Sequence, residues 1–131
     1  MPSKRLLIIE DDPGLTELIR RVAEEAGYEV QQWEPHIPFI ALYCEFQPHV
    51  IVLDIILPEM DGFEILRHLS KERSDARIII LSGQENYRPM ASRMGKGLDL
   101  NIVATVAKPC RIVELHRLLQ QVGDSVIEAV A

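Results

Sequence analysis

Four short apolar runs constrain this chain more than any other feature: Leu6 to Ile9, Val50 to Leu53, Ile78 to Leu81 and Ile102 to Val106. Each is rich in Ile or Val and is bounded by polar or turn residues. Runs of this kind read as strands buried on both faces, the condition of a parallel sheet covered by helices on each side. A fifth segment, Tyr28 to Trp33, alternates instead, with Tyr28 and Val30 on one side and Glu29 and Gln31 on the other, which suits a strand at the sheet's edge.

Helical patterns separate the strands. Leu15, Leu18, Ile19, Val22, Ala23 and Ala26 follow the spacing of one buried stripe. Asp12 as N-cap, Pro13 at the first position and Gly27 after the last turn bracket that helix. A second helix is expected from about His36 to Gln47, with Pro35 and Pro38 confined to its start and Pro48 stopping it. A third begins after Gly62 and buries Ile65, Leu66 and Leu69. Tyr87, Met90, Ala91, Met94 and Leu98 form the fourth stripe, and the last helix buries Ile112, Leu115, Leu119 and Val122 before Gly123. Strict strand-helix alternation with right-handed crossovers predicts an α/β fold, a doubly wound five-stranded parallel sheet. Residues 1–123 then make one domain, and residues 124–131 are either a frayed helix end or the start of a linker.

A length of 131 residues fits one domain, and a net charge of −6 argues against a surface that neutralises phosphate backbones, so no nucleic acid is expected as a partner of this domain. Cys44 and Cys110 form no C-x-x-C pair, which indicates neither a disulfide scaffold nor a thiolate zinc site and suits a reducing cytoplasm. The apolar run near the start is too short for a signal peptide core, and nothing approaches a membrane span. His36, His49, His68 and His116 show no metal-ligand spacing, and Met90 and Met94 read as core filler.

The residues that carry chemistry stand at the carboxyl ends of the strands: Glu10, Asp11 and Asp12 after the first, Asp54 at the end of the third, Ser82 and Gly83 after the fourth, and Lys108 after the fifth. In open α/β sheets that rim is where ligands bind. Carboxylates crowded in one crevice repel unless a cation neutralises them, and hard oxygen donors with room for water suit Mg²⁺. With a metal in place Asp54 becomes a phosphoryl acceptor, since a carboxylate can attack phosphorus and the transfer asks for positioning and charge neutralisation. Lys108, Ser82 with a nearby backbone N–H, and the metal would each take one phosphoryl oxygen. Asp12 is most simply the helix cap, and Asp61-Gly62 is turn chemistry leading into the third helix.

From Lys4 to Val122 the chain resembles the receiver domains of bacterial two-component response regulators. The resemblance rests on E-D-D-P-G-L at Glu10 to Leu15, D-I-I-L-P-E-M-D-G at Asp54 to Gly62, L-S-G at Leu81 to Gly83 and K-P at Lys108 and Pro109. It implies a flavodoxin-like (βα)5 fold with strand order 2-1-3-4-5. It implies Asp54 as the phosphorylated residue, Asp11 as a direct Mg²⁺ ligand, Glu10 as a ligand through water, and the Ile56 carbonyl as a backbone ligand. Ser82, Gly83 and Lys108 would bind the phosphoryl group, Ser82 and Thr105 would form the switch, and a cis peptide would precede Pro109. The implied partners are a histidine kinase or phosphotransfer protein, with an output domain following in the chain or a separate partner protein.

Several positions depart from the family's usual pattern. Glu10 stands where aspartate is commoner, Thr105 where many receivers carry Tyr or Phe, and Cys110 where phenylalanine is common. The stretch from Ser82 to Lys108 is longer than usual and resembles receivers attached to cyclic-di-GMP phosphodiesterase outputs. An interaction module not controlled by phosphorylation is a further alternative. An aspartate-nucleophile phosphatase is disfavoured because Ile56 stands where its second acid would be. A carrier of FMN or nucleotide is disfavoured because the first loop is acidic where phosphate would have to sit.

Overall fold

The structure, a computed structural model, describes residues 4–57 and 61–130. Its strands are β1 (Lys4–Ile9), β2 (Tyr28–Gln32), β3 (Val50–Asp54), β4 (Arg77–Ser82) and β5 (Asn101–Ala107). They alternate with α1 (Pro13–Glu25), α2 (Phe39–Phe46), α3 (Gly62–Lys71), α4 (Tyr87–Gly97) and α5 (Ile112–Val130). The sheet is parallel throughout, in the order β2-β1-β3-β4-β5. The chain therefore leaves β1 toward β2 and then crosses to β3 on the other side, which opens a crevice above the carboxyl ends of β1 and β3.

Two-residue alternation sends neighbouring side chains of one strand into two different cores. Leu7 and Ile9 of β1 join Ile51, Leu53, Ile78 and Ile80 beneath α2, α3 and α4. Leu6 and Ile8 join Val50, Val52, Ile79 and Leu81 beneath α1 and α5. All of these strand side chains are fully buried or nearly so, which is why the three central strands read as unbroken apolar runs. At the head of α1, Asp12 Oδ1 accepts from the Gly14 and Leu15 amides at 2.9 and 3.3 Å, with Pro13 in the first turn.

Four expectations need correction. The run Ile102 to Val106 is not buried on both faces: β5 is an edge strand whose exposed and covered residues alternate. Its register against β4 skips a residue, since Ile78 pairs with Ile102 and Ile79 with Ala104, so Val103 is extruded from the ladder and 40% exposed. The helix expected over residues 36–47 is shorter, because Pro38 cannot donate a backbone bond and keeps Ile37 out of helical conformation. Met90 is 45% and Ile112 58% exposed. α5 packs chiefly against α1 and β1, and its first turn beside the edge strand is left uncovered.

The fourth correction concerns the boundary at residue 123. α5 does not stop there but runs on to Val130 and buries Val126 to 2% exposure. Gly123, which reads as a helix stop, is a position of close approach: a Cβ there would lie 2.8 Å from Lys4 Nζ and 2.9 Å from the Tyr28 hydroxyl. Those two groups are committed elsewhere. Lys4 Nζ donates to the Ala26 carbonyl at 2.6 Å and sits 4.7 Å from the Tyr28 ring centroid, and the Tyr28 hydroxyl donates to the Leu119 carbonyl at 2.8 Å. Beyond the glycine, Arg77 of β4 donates to Ser125 Oγ at 2.8 Å and to its carbonyl at 3.1 Å. Residues 124–130 are therefore part of the folded helix, and Ala131 lies outside the described residues. Among the described residues, no helix is long and apolar enough to cross a membrane.

At the opposite end of the sheet from the acidic crevice, His49 is locked between strands. Its Nδ1 accepts the Arg5 amide at 3.0 Å, and its carbonyl accepts the Arg77 amide at 2.9 Å. Partial burial, and then the charges of Arg5 and Arg77, hold its pKa below the usual 6.5, with Asp75 opposing weakly.

Two measurements follow. Val126→Ala should lower the unfolding free energy by about 1.5–2.5 kcal/mol, and Ile127→Ala, at an exposed site, by no more than about 0.5 kcal/mol; urea denaturation distinguishes them, and equal effects would make residues 124–130 a tail. The unfolded chain takes a proton on His49 before the folded one does, so the stability tied to this residue is complete above about pH 6.5 and declines below it. Denaturation midpoints between pH 7 and 5 should therefore fall more in the unsubstituted protein than in His49→Gln.

Candidate functional site

The strand order turns residues far apart in sequence into neighbours. β1, β3, β4 and β5 lie side by side and end at the same rim, which brings together Glu10 after β1, Asp54 at the end of β3, Ser82 at the end of β4 and Lys108 after β5. Glu10 is 3%, Asp54 5% and Ser82 1% exposed, whereas Asp11 faces solvent.

Lys108 is the hub. Its Nζ lies 2.5 Å from Glu10 Oε1 and 2.9 Å from Asp54 Oδ2, bridging residues 54 positions apart in the second case. The other oxygens are used by backbone amides: Glu10 Oε2 accepts from Asp11 and Asp12 at 2.8 and 3.2 Å, and Asp54 Oδ1 accepts from Ile56 at 3.1 Å. Glu10 thus shapes the turn that presents Asp11, and a carboxylate oxygen from each of Glu10, Asp11 and Asp54 falls within 4.8 Å of the other two. This is the one such group among the described residues, and no histidine joins it. Burial pushes the Glu10 carboxyl up to about 7, against the lowering effect of the Lys108 ammonium and the Asp12 amide, and the Asp54 charge adds to the rise. Burial alone would depress Lys108, but Glu10 and Asp54 more than offset it and hold the ammonium's pKa above its usual range.

The charge arithmetic leaves room for a cation. Three carboxylates meet a single ammonium, and two of the three are nearly withdrawn from water. All-oxygen donors at this spacing, with Asp11 open to solvent, are the chemistry that holds a hard divalent cation with some of its waters retained. A cavity of about 190 Å³ opens beside Glu10 and Asp11, walled by Trp33, Glu34, Pro35 and Leu57.

Gly62 lets α3 close on the strand end that carries Asp54. Its amide donates to the Ile55 carbonyl at 3.0 Å, and a Cβ would sit 2.6 Å from the Ile55 Cα and 2.7 Å from its oxygen. Asp61 caps the same helix by accepting from the Phe63 amide at 2.9 Å. Pro58, Glu59 and Met60 of the same motif lie outside the described residues. The Lys108–Pro109 peptide is cis, as the resemblance implies.

The remaining expected residues stand at the margin. The Ser82 hydroxyl is bonded to Gln84, accepting from its amide at 3.0 Å and donating to its carbonyl at 3.2 Å, and does not touch Asp54. Gly83 is exposed and faces the Lys108 side chain, where a Cβ would lie 3.9 Å from Lys108 Cβ. Thr105 pairs with Ile80, on the α4 side of the sheet, and is exposed. Ile56 is 47% exposed beside Asp54. One participant is not readable from sequence: Arg88, six residues after Ser82, donates from Nη1 to the Ser82 carbonyl at 3.2 Å. No motif or spacing marks it, since its position follows from how the loop after β4 enters α4.

A family model described as response regulator receiver domain matches residues 6–120. Among curated relatives, the DNA-binding dual master transcriptional regulator RpaA of Synechocystis sp. is 42% identical over 77 residues, 59% of this chain and 32% of its own. The response regulator MprA of Mycobacterium bovis is 28% identical over 113 residues, 86% of this chain and 47% of its own. The chain thus spans half or less of the length of these relatives. Among solved structures, a response regulator from Colwellia psychrerythraea superposes with a TM-score of 0.79 at 25% identity, covering 95% of this chain and 99% of the other. The chemotaxis protein CheY4 of Vibrio cholerae gives 0.76 at 22% identity, covering 92% and 99%, a likeness of fold.

Removing the hub should be costly. Lys108→Met leaves Glu10 and Asp54 facing each other without their cation, and the expected loss is about 1–3 kcal/mol, below the full cost of breaking a buried pair because Lys108 is partly solvated. A second substitution, Glu10→Gln, should recover part of it. Urea denaturation of the single and double variants in chelator decides the point, and additive losses would exclude the shared ammonium.

Proposed function

The chain belongs to the response regulator receiver family, and on that premise we propose that it is a phosphorylation-controlled switch whose acceptor is Asp54. The observation that carries this reading is the Lys108 ammonium 2.9 Å from Asp54 Oδ2, in a crevice where Glu10 and Asp11 supply further carboxylates. Asp54 is held from both sides, by the Ile56 amide on Oδ1 and by Lys108 on Oδ2, so its carboxylate is oriented before a donor arrives.

A phosphohistidine on a histidine kinase or phosphotransfer protein is the donor in this reading. An Asp54 oxygen forms the new bond to phosphorus as the phosphorus–nitrogen bond breaks, and the bonding pair leaves with the imidazole. Asp11, Asp54 and the Ile56 carbonyl, with Glu10 acting through water, are the groups that would hold Mg²⁺, which supplies charge neutralisation at the transferring oxygens. Lys108 keeps its proton throughout, since two carboxylates hold its pKa high, and remains available as a cation for a second oxygen. The Ser82 hydroxyl and the Gly83 amide would take the third, which requires Ser82 to release Gln84. Switching would then run from Ser82 to the surface made by α4 and β5, where Thr105 stands. Ile56, apolar and exposed beside the acceptor, cannot orient a water for hydrolysis, which favours a long-lived phosphoryl state.

The protein acts as a phosphoryl acceptor rather than an enzyme that turns over a small substrate. Its free cysteines suit a reducing cytoplasm. Its net charge of −6 assigns any contact with DNA to an output domain and not to this one. Of the two curated relatives above, each longer than this chain, one is named a response regulator and the other a DNA-binding transcriptional regulator, which supports an output function carried outside this domain.

With Mg²⁺ and acetyl phosphate, intact-mass measurement should record one added phosphoryl group, and none in Asp54→Asn. Asp11→Ala should lose the dependence on Mg²⁺. Asp12→Ala should keep it and loosen α1 by about 1 kcal/mol through loss of its cap. Unchanged modification of Asp54→Asn overturns the acceptor, and exchanged phenotypes for Asp11 and Asp12 overturn the ligand assignment.

A further inference from the structure

α4 packs on β4 and β5 but is held weakly at its start. Its N-cap residue Asn86 makes no side-chain cap bond, and only Ala91 and Gly95 along its length are buried. Its second residue is Arg88, a cation in the first turn, where the exposed backbone amides already make the helix end positive. Among the described residues Arg88 has no acidic partner to offset that cost. Its guanidinium is instead half-buried and donates to the Ser82 carbonyl at 3.2 Å. Among the described residues this is the only hydrogen bond from an α4 side chain to β4.

The acceptor carbonyl is the one through which the rim is knitted together. Ser82 O also accepts the Lys108 amide at 3.0 Å, and Lys108 in turn holds Glu10 and Asp54. The hydroxyl of the same serine is closed into a turn with Gln84, and the Tyr87 amide that begins α4 donates back to the Gln84 carbonyl at 3.1 Å. Ser82 cannot turn its hydroxyl toward Asp54 without opening that turn, and the loop it belongs to is the one from which α4 starts. Among the described residues the side chain of Thr105, exposed on β5, makes no hydrogen bond that could carry the movement across.

We propose that Arg88 is the positioning residue that couples Ser82 to α4: its bond to the Ser82 carbonyl sets the resting position of the helix's first turn, and an anionic group on Asp54 shifts that turn through it. The reading rests on Asp54 being the phosphoryl acceptor. It also gives the misplaced cation a reason, because the positive charge of Arg88 and of the α4 N-terminus is matched when a phosphoryl dianion arrives at the rim. Coupling through one strand end and one arginine requires two arrangements of the element, not a continuous pathway.

Hydrogen exchange on the full chain tests it, with Mg²⁺ alone and with Mg²⁺ and beryllofluoride, in the unsubstituted protein and in Arg88→Met and Arg88→Lys. In the unsubstituted protein, residues 83–94 should change their exchange when beryllofluoride is added. In Arg88→Met that ligand-dependent difference should fall about threefold or more, although acetyl phosphate still adds phosphoryl mass to Asp54, and Arg88→Lys should restore part of it. An undiminished difference in Arg88→Met overturns the proposal. So does exchange that rises equally with and without beryllofluoride, since the arginine would then only hold the helix together. If the unsubstituted protein gains neither phosphoryl mass nor a beryllofluoride response, the acceptor reading falls and this one with it. Phosphoryl gain with no dependence on Arg88 removes this one alone.

Discussion

The chemistry of this protein turns on one ammonium held between two buried carboxylates. Lys108 Nζ touches both Glu10 and Asp54, and without it two nearly solvent-free acids would confront each other in a medium that screens poorly. The same contact orients Asp54, keeps Lys108 charged and opposes the burial that pushes the Glu10 carboxyl toward neutrality. A surplus of carboxylate over cation remains, of the kind that a divalent cation would neutralise. Stability and function are in tension here, since a neutral core of the same shape would be easier to fold.

Such a contact exists because the sheet delivers its parts. Parallel strands of similar length, buried on both faces, end at one level, and the reversal of strand order beside β1 leaves that level open instead of covered by a connection. The apolar side chains of β1, β3 and β4 make the platform rigid. Gly62 then allows α3 to close tightly over the end of β3, where Asp54 stands. The opposite end of the sheet carries a different set of bonds, built on Arg5, His49, Arg77 and Lys4, that ties strand starts to α5 and to the loop before β3. Among the described residues that end makes no acidic cluster, and its bonds hold the layers together.

The two sides of the sheet are unequal in firmness. α1 and α5 interlock, with α5 extended past Gly123 so that Val126 joins their shared core and Ser125 is held by Arg77 of β4. On the far side α4 lies against an edge strand with a bulge at Val103, lacks a side-chain cap and buries two small residues. An uncapped helix start is a place where a response to a distant charge can be expressed as movement.

Much of this was legible in the residues themselves. Unbroken runs of Ile, Leu and Val favour burial on both faces, and that condition with intervening amphipathic stripes leads to a helix-covered parallel sheet. Asp12 and Pro13 announce a helix start by their local chemistry, and a carboxylate, a hydroxyl or an ammonium at the ends of four of the five strands marks the candidate rim. What the chain could not declare were the features that depend on neighbours distant in sequence. Ile102 to Val106 has the composition of a central strand, but only pairing decides that β5 is an edge with an extruded residue. Gly123 has the local signature of a helix end, yet the Lys4 and Tyr28 side chains packed beneath it are what require a glycine there. Arg88 carries no signal at all, because its meaning lies in a carbonyl on another element. Short-range physics, capping and periodicity, acts between residues near in sequence and can be read from it; register, edge position and the partner of a long side chain are settled by packing between elements, and exist only once the chain has folded.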